Sequence, residues 1–179
     1  MSVCEIITVI VRLIGIGLAV KKLRLYLDSS VLGWSLNHSN PSRFAEAKLL
    51  LKLIGDGQFF GAYSWVTVEE IEAAPKHIAK RLWQKVETAK LKAVKVSLGK
   101  QADRLADTSC DRRIVPSDFK ADALHIAIAT LWKADALVSY NFQHIVSLEI
   151  MVAVNRVNKE LDLKEIFLCQ PQEVIISGN

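Results

Sequence analysis

Leu23-Arg24-Leu25-Tyr26-Leu27-Asp28-Ser29-Ser30 is a short apolar run that stops on a carboxylate and two hydroxyls. Such a run reads as a buried strand. In an open α/β sheet the ligand crevice lies just beyond the carboxyl ends of the strands, which is where Asp28 would stand. A second run, Ala136-Leu137-Val138-Ser139-Tyr140, is followed in the same way by Asn141. Two further acids lie between them. Glu70 sits in Val68-Glu69-Glu70-Ile71-Glu72-Ala73-Ala74-Pro75, and Asp122 opens Asp122-Ala123-Leu124-His125-Ile126-Ala127. Carboxylates gathered at one place repel one another unless a hard cation neutralises them. Mg²⁺ takes oxygen ligands and is held by a few carboxylates, so this set suits Mg²⁺ or Mn²⁺. The chemistry implied is that of a metal-dependent phosphodiesterase.

Working outward, strands and helices alternate along the chain, which predicts a parallel α/β sheet. Residues 23–27 form the first strand, and Asp28-Ser29-Ser30 can cap a following helix. Pro41-Ser42 starts a helix with Phe44, Ala47, Leu50, Leu51 and Ile54 on one side, ended by Gly55-Asp56-Gly57. Residues 58–65 read as a second strand. Thr67 caps a short helix carrying Glu70, because Thr67 and Glu70 have capping-box spacing. Pro75 opens another helix through Ile78, Leu82 and Val86, and residues 91–96 read as a third strand. Residues 97–106 are helical, and Pro116-Ser117 introduces a long helix over 118–132. A strand over 136–140, a helix over 145–161 and a last strand over 166–168 complete the reading.

Each candidate also has a plainer explanation. Asp28 could be a helix N-cap, a role worth about 1 kcal/mol, although Ser29 or Ser30 could supply it instead. A phosphatase with an aspartyl nucleophile would need a second Asp two residues on, where this chain has Ser30. Ser30 itself could hold the Asp28 carboxylate or touch a phosphate oxygen. Glu69 and Glu70 face about 100° apart on a helix, so at most one points inward. Asp118, Asp122 and His125 are spaced to share one helix face. Asp118 could equally answer the helix dipole, and His125 could be a hydrogen-bonded core histidine. Asp122 stands among apolar residues, where an unpaired carboxylate is costly. Asn141 can offer an amide oxygen but no charge. His144 could orient Asn141, contact phosphate or carry a proton near neutral pH, or simply pack.

Composition narrows the class. At 179 residues, 51% apolar and 23% charged, the chain is one globular domain with a formal charge of +4. Lys80, Arg81, Lys85, Lys90, Lys92 and Lys95 crowd the stretch 76–100, either as a solvated helix face or as a phosphate-tracking patch. Cys4, Cys110 and Cys169 are scattered and odd in number, which fits reduced thiols in a cytoplasmic protein rather than a zinc site or a disulfide framework. Residues 3–20 are strongly apolar but interrupted by Glu5 and Arg12. A charge costs about 2.5–3.5 kcal/mol at a bilayer centre, so a membrane role is not expected. Residues 1–22 are read as an apolar extension, compatible with a start codon placed too early, and 23–179 as the domain.

Four segments together resemble the PIN-domain family of nucleases. Tyr26-Leu27-Asp28-Ser29-Ser30-Val31-Leu32 is similar to its first strand and metal-binding Asp. Glu70-Ile71-Glu72-Ala73-Ala74-Pro75 is similar to its second acidic motif, and Asp122-Ala123-Leu124-His125-Ile126-Ala127 to its third. Val138-Ser139-Tyr140-Asn141-Phe142-Gln143-His144-Ile145 is similar to its fourth, with Asn141 where many members carry Asp. An Asn-x-x-His ending of this kind is similar to that of a VapC-like toxin branch. The resemblance, from about 23 to 174, implies a three-layer α/β/α domain with a central parallel sheet. It implies Mg²⁺- or Mn²⁺-dependent RNA cleavage, with Asp28, Glu70 and Asp122 holding metal and Asn141 completing the catalytic set. It also implies a small antitoxin partner, and homodimers are common in the family. The alternative is a catalytically degenerate module that binds RNA or protein, a reading that Asn141 keeps open.

Overall fold

The structure is a computed structural model, and it describes residues 22–177. The expectations for Cys4 and for the apolar stretch 3–20 lie outside the described residues. Among the described residues no helix is long and apolar enough to cross a membrane.

Five parallel strands form one sheet in the order β3-β2-β1-β4-β5. They are β1 (Arg24–Leu27), β2 (Phe60–Tyr63), β3 (Lys92–Ala93), β4 (Ala136–Val138) and β5 (Phe167–Cys169). The helices are α1 (Ser29–Trp34), α2 (Pro41–Gly55), α3 (Trp65–Glu72), α4 (Lys76–Thr88), α5 (Gly99–Asp111), α6 (Lys120–Leu131), α7 (Leu148–Glu160) and α8 (Pro171–Ser177). After β1 the chain builds outward through β2 and β3, then returns to place β4 on the other side of β1. The crevice of such a sheet lies at this reversal, beyond the carboxyl ends of β1 and β4.

Side-chain alternation makes the layers. Leu25, Leu27, Ala136, Val138 and Cys169 enter a core with Val31, Leu50, Ile54, Leu82 and Val174 of α1, α2, α4 and α8. Tyr26, Leu137 and Leu168 face the opposite way, into a core with Leu105, Ile126 and Val154 of α5, α6 and α7. With both faces covered, Leu25, Tyr26 and Leu27 are fully buried, as a central parallel strand requires. Gly61 of β2 is demanded by this packing, since a Cβ there would meet Leu91 Cδ2 at 2.5 Å and Ile54 Cγ2 at 2.7 Å.

Several boundaries differ from the sequence reading, each for a local reason. The second strand ends at Tyr63, because Ser64 caps α3 and Trp65 is already helical. The capping box is therefore Ser64 with Thr67, and Thr67 is inside the helix rather than its cap. The third strand is only Lys92–Ala93, both exposed at the sheet edge, and a 3₁₀ turn over Val96–Leu98 precedes α5. The long helix starts at Lys120, because Pro116 leads first into a 3₁₀ turn, Ser117–Phe119. Ser147 caps α7, so that helix starts after 145. The short helix α8 was not foreseen.

Candidate functional site

Asp28 leaves β1 at the reversal point and is buried, only 5% exposed. It is itself the N-cap of α1, with Ser29 and Ser30 already in the helix, so the alternative of a serine cap does not hold. One carboxylate oxygen, Oδ1, accepts the Ser30 amide at 3.1 Å and the Ser30 hydroxyl at 2.6 Å. The other accepts the Ser139 hydroxyl at 2.7 Å. Each hydroxyl also accepts from the chain beyond β4: Ser30 Oγ takes the Tyr140 amide at 2.9 Å, and Ser139 Oγ takes the Asn141 amide at 2.8 Å. Two serines therefore tie the ends of β1 and β4 together around one carboxylate. Burial pushes the Asp28 carboxyl up; the charge of His125 and the hydroxyls of Ser139 and Ser30 oppose this, and Glu70 adds to it.

Glu70 lies near the end of α3, while Glu69 and Glu72 beside it are exposed. Its carboxylate meets His125 Nε2 at 3.1 Å. His125, on α6, is fully buried, and its Nδ1 meets the Tyr26 hydroxyl at 2.8 Å, which in turn meets Ser64 Oγ at 2.6 Å. An ionised carboxylate only accepts, so Nε2 donates to Glu70. His125 is thus the hydrogen-bonded core histidine of the plainer reading, and it also holds Glu70. Burial alone would raise Glu70, but the bond and charge of His125, with the Ser29 hydroxyl, hold it below the usual carboxylate range. Burial would likewise lower His125, yet the bond and charge of Glu70, then Asp28 and Asp122, carry it above its ordinary value.

Asp122 opens α6 and meets His144 Nδ1 at 3.1 Å, while the His144 ring stacks on Phe119 at 3.7 Å between centroids. His144 therefore orients Asp122 rather than Asn141. The side-chain oxygen of Asn141 accepts the amides of Gln143 at 3.2 Å and His144 at 3.1 Å, an Asx turn that shapes its own loop. Asp118 lies exposed on the 3₁₀ turn before α6, so it does not share a helix face with Asp122 and His125 as expected.

The arrangement brings the four motifs to one end of the sheet. The donor set is oxygen-rich, which suits a hard divalent cation. Even so, among the described residues no three His, Cys, Asp or Glu side chains converge at metal-coordinating distance. The reason is visible in the bonds: Glu70 is turned onto His125 and Asp122 onto His144. Of the three carboxylates, only Asp28 has no basic side chain within hydrogen-bonding reach among the described residues.

Residues that the sequence reading passed over carry much of this network. Ser139 could have been noticed, because it sits beyond β4 as Ser29 and Ser30 sit beyond β1. Tyr26 shares the strand face of Asp28 by the two-residue repeat. Ser64 carried no signal, since its partner Tyr26 is 38 residues away.

No known family model matches the chain, and no curated protein matches it. Among solved structures, the chain is similar to one described as the crystal structure of VapBC2 from Rickettsia felis bound to a DNA fragment from their promoter. The identity is 13%, the match covers 83% of this chain and 98% of that one, and the TM-score is 0.48.

Proposed function

We propose that this chain is a metal-dependent endoribonuclease of PIN-like design, acting as the toxin of a toxin–antitoxin pair. The observation that carries the reading is Asp28: a buried carboxylate at the sheet's reversal point, served by hydroxyls and an amide but, among the described residues, by no basic side chain within hydrogen-bonding reach. A buried carboxylate of this kind favours a cationic partner. Asp28, Glu70 and Asp122 would hold Mg²⁺ or Mn²⁺, with Asn141 at the edge of the set. The bound metal would supply a water of lowered pKa and charge to offset that of the scissile phosphate. Ser30 and Ser139 fix both oxygens of Asp28, His125 orients Glu70 and His144 orients Asp122. Such outer partners typically matter roughly 10–100-fold to metal affinity. In this reading residues 23–179 carry the activity, residues 1–22 are an extension, and the Asn-x-x-His ending supports a VapC-like branch. RNA is the substrate, a small antitoxin the inhibitor, and a homodimer the assembly.

One observation favours a second reading. Two of the three carboxylates already face histidines, which suits a degenerate module that binds RNA or protein without cleaving it. Cleavage of a labelled RNA with Mn²⁺ or with chelator separates the two. The nuclease reading expects Mn²⁺-dependent cleavage that Asp28→Asn and Asp122→Asn each reduce more than the roughly 10–100-fold cost of losing an outer partner. Absence of cleavage by folded wild type under every divalent cation tried would leave the binding module.

A further inference from the structure

The lysine-rich stretch that the acid site leaves unused comes together at the opposite end of the sheet, where β1 and β2 begin. Two cavities of about 340 and 260 Å³ lie side by side there and share Gly55, Asp56 and Lys90, forming one groove. Lys22, Lys48, Lys52, Lys85, Lys90 and Lys92 line it, against a single carboxylate, Asp56. Six lysines against one aspartate give a local excess of five positive charges. The whole chain carries only +4, so the rest of the molecule is net acidic.

Helix ends explain part of this. Lys52 and Lys85 stand in the last turns of α2 and α4, where the helix dipole favours cations. Lys52 pairs with Asp56 at 2.6 Å, and Lys90 donates to the Gly55 carbonyl at 3.2 Å. Lys48 lies over the Phe44 ring at 5.0 Å. Lys22 and Lys92 belong to no helix, and with Lys48 and Lys85 they form no ion pair among the described residues. Among them stands Phe60, the first residue of β2 and 49% exposed. Lysines explain why a polyanion would enter the groove. The exposed ring adds a flat apolar face, which bases use and an acidic peptide does not require.

We propose that this groove binds single-stranded nucleic acid, with phosphates on the lysines and a base stacked on Phe60. The elongated shape, made of two joined cavities, fits a chain of phosphates better than one isolated anion. The site is separate from the acid crevice and does not depend on hydrolysis there.

The test titrates the full chain into fluorescein-labelled oligouridylate and oligodeoxythymidylate, with EDTA present to remove metal from the opposite end. Lys85→Glu combined with Lys92→Glu is expected to weaken binding at least about ten-fold. It should also flatten the slope of log Kd against log salt by about 0.7 for each phosphate that the variant no longer neutralises. Phe60→Ala is expected to weaken binding about ten-fold with the salt slope unchanged, and Phe60→Tyr to restore it. RNA and DNA single strands should bind alike, because neither lysine–phosphate pairing nor stacking reads the 2′-hydroxyl. Because EDTA keeps metal out of the acid crevice, the titration is read without cleavage, which separates a failure of the groove from a failure of the nuclease reading. The proposal is overturned if the folded lysine variant binds as wild type does. It is equally overturned if Phe60→Ala has no effect while polyglutamate of matched length displaces the oligonucleotide, which would make the groove a surface for acidic protein. A clear preference for duplex over single strand would overturn it as well.

Discussion

At one end of the sheet three carboxylates sit within a network of hydroxyls, amides and imidazoles, and the first of them is buried. At the other end six lysines stand around an open groove, and among the described residues two of them have a carboxylate or carbonyl partner. The contrast follows from desolvation. A buried charge must be answered by hydrogen bonds or an opposite charge, so the acid end is tightly built and each partner is necessary. Exposed ammonium groups remain hydrated and need no such answer, so the basic end can be altered without disturbing the fold. Changes at the acid end should therefore register in stability as well as chemistry, and changes at the basic end in binding alone.

The largest stability effect should come from Ser139→Ala. It removes the donor to Asp28 Oδ2 and the acceptor of the Asn141 amide together. Leaving a buried polar group unserved costs about 1–3 kcal/mol, so chemical denaturation should show a loss in that range. A variant as stable as wild type would mean that solvent replaces the serine and that the end of β1 is less enclosed than its burial indicates.

A smaller effect, dependent on pH, should follow Glu70→Gln. Glu70 is held below its ordinary value of 4.5 and His125 above its ordinary value of 6.5. Stability from Glu70 is present above 4.5 and lost as pH falls through its lowered value. Stability from His125 is present below 6.5 and lost as pH rises through its raised value. Their joint contribution is greatest between those two ordinary values. In chelator, the melting gap between wild type and Glu70→Gln should be widest near about pH 5.5 and narrow in alkali. A gap that widens steadily with pH would show that His125 is not the partner that matters.

Smaller still is the effect of Asn141→Asp, whose sign should depend on metal. An aspartate can still accept the Gln143 and His144 amides, so the change is one of charge. In chelator the added charge sits near other carboxylates and should lower the melting temperature. With Mn²⁺ the same charge attracts the cation, and metal-dependent stabilisation should exceed that of wild type. Equal shifts in both conditions would remove Asn141 from the site. At the basic end, Lys92→Glu should change stability by no more than about 0.5 kcal/mol, and Lys85→Glu, which reverses a charge in the last turn of α4, by no more than about 1 kcal/mol. A larger loss would make those lysines structural.

The position of the candidate site was more legible in the sequence than its wiring. Asp28 and Asn141 declared themselves by following apolar runs, and the sheet places those runs side by side. What escaped was set by distance along the chain. The Tyr26–His125 bond spans 99 residues and Asp28–Ser139 spans 111, and no local pattern announces either. Asp118 misled because four-residue spacing implies a shared face only within one continuous helix, and the backbone leaves helical geometry at Phe119, between Asp118 and Asp122. The third strand was overestimated because alternation over 91–96 continues past the point where β2 offers a partner.

The central claim is that Asp28, Glu70 and Asp122 together form a cation site. Calorimetric titration of Mn²⁺ into folded wild type, Asp28→Asn and Asp122→Asn tests it directly, without reference to any substrate. The account predicts saturable binding to wild type that each variant weakens at least about ten-fold. Folded wild type that takes up no Mn²⁺, or variants that bind it as wild type does, would contradict the claim.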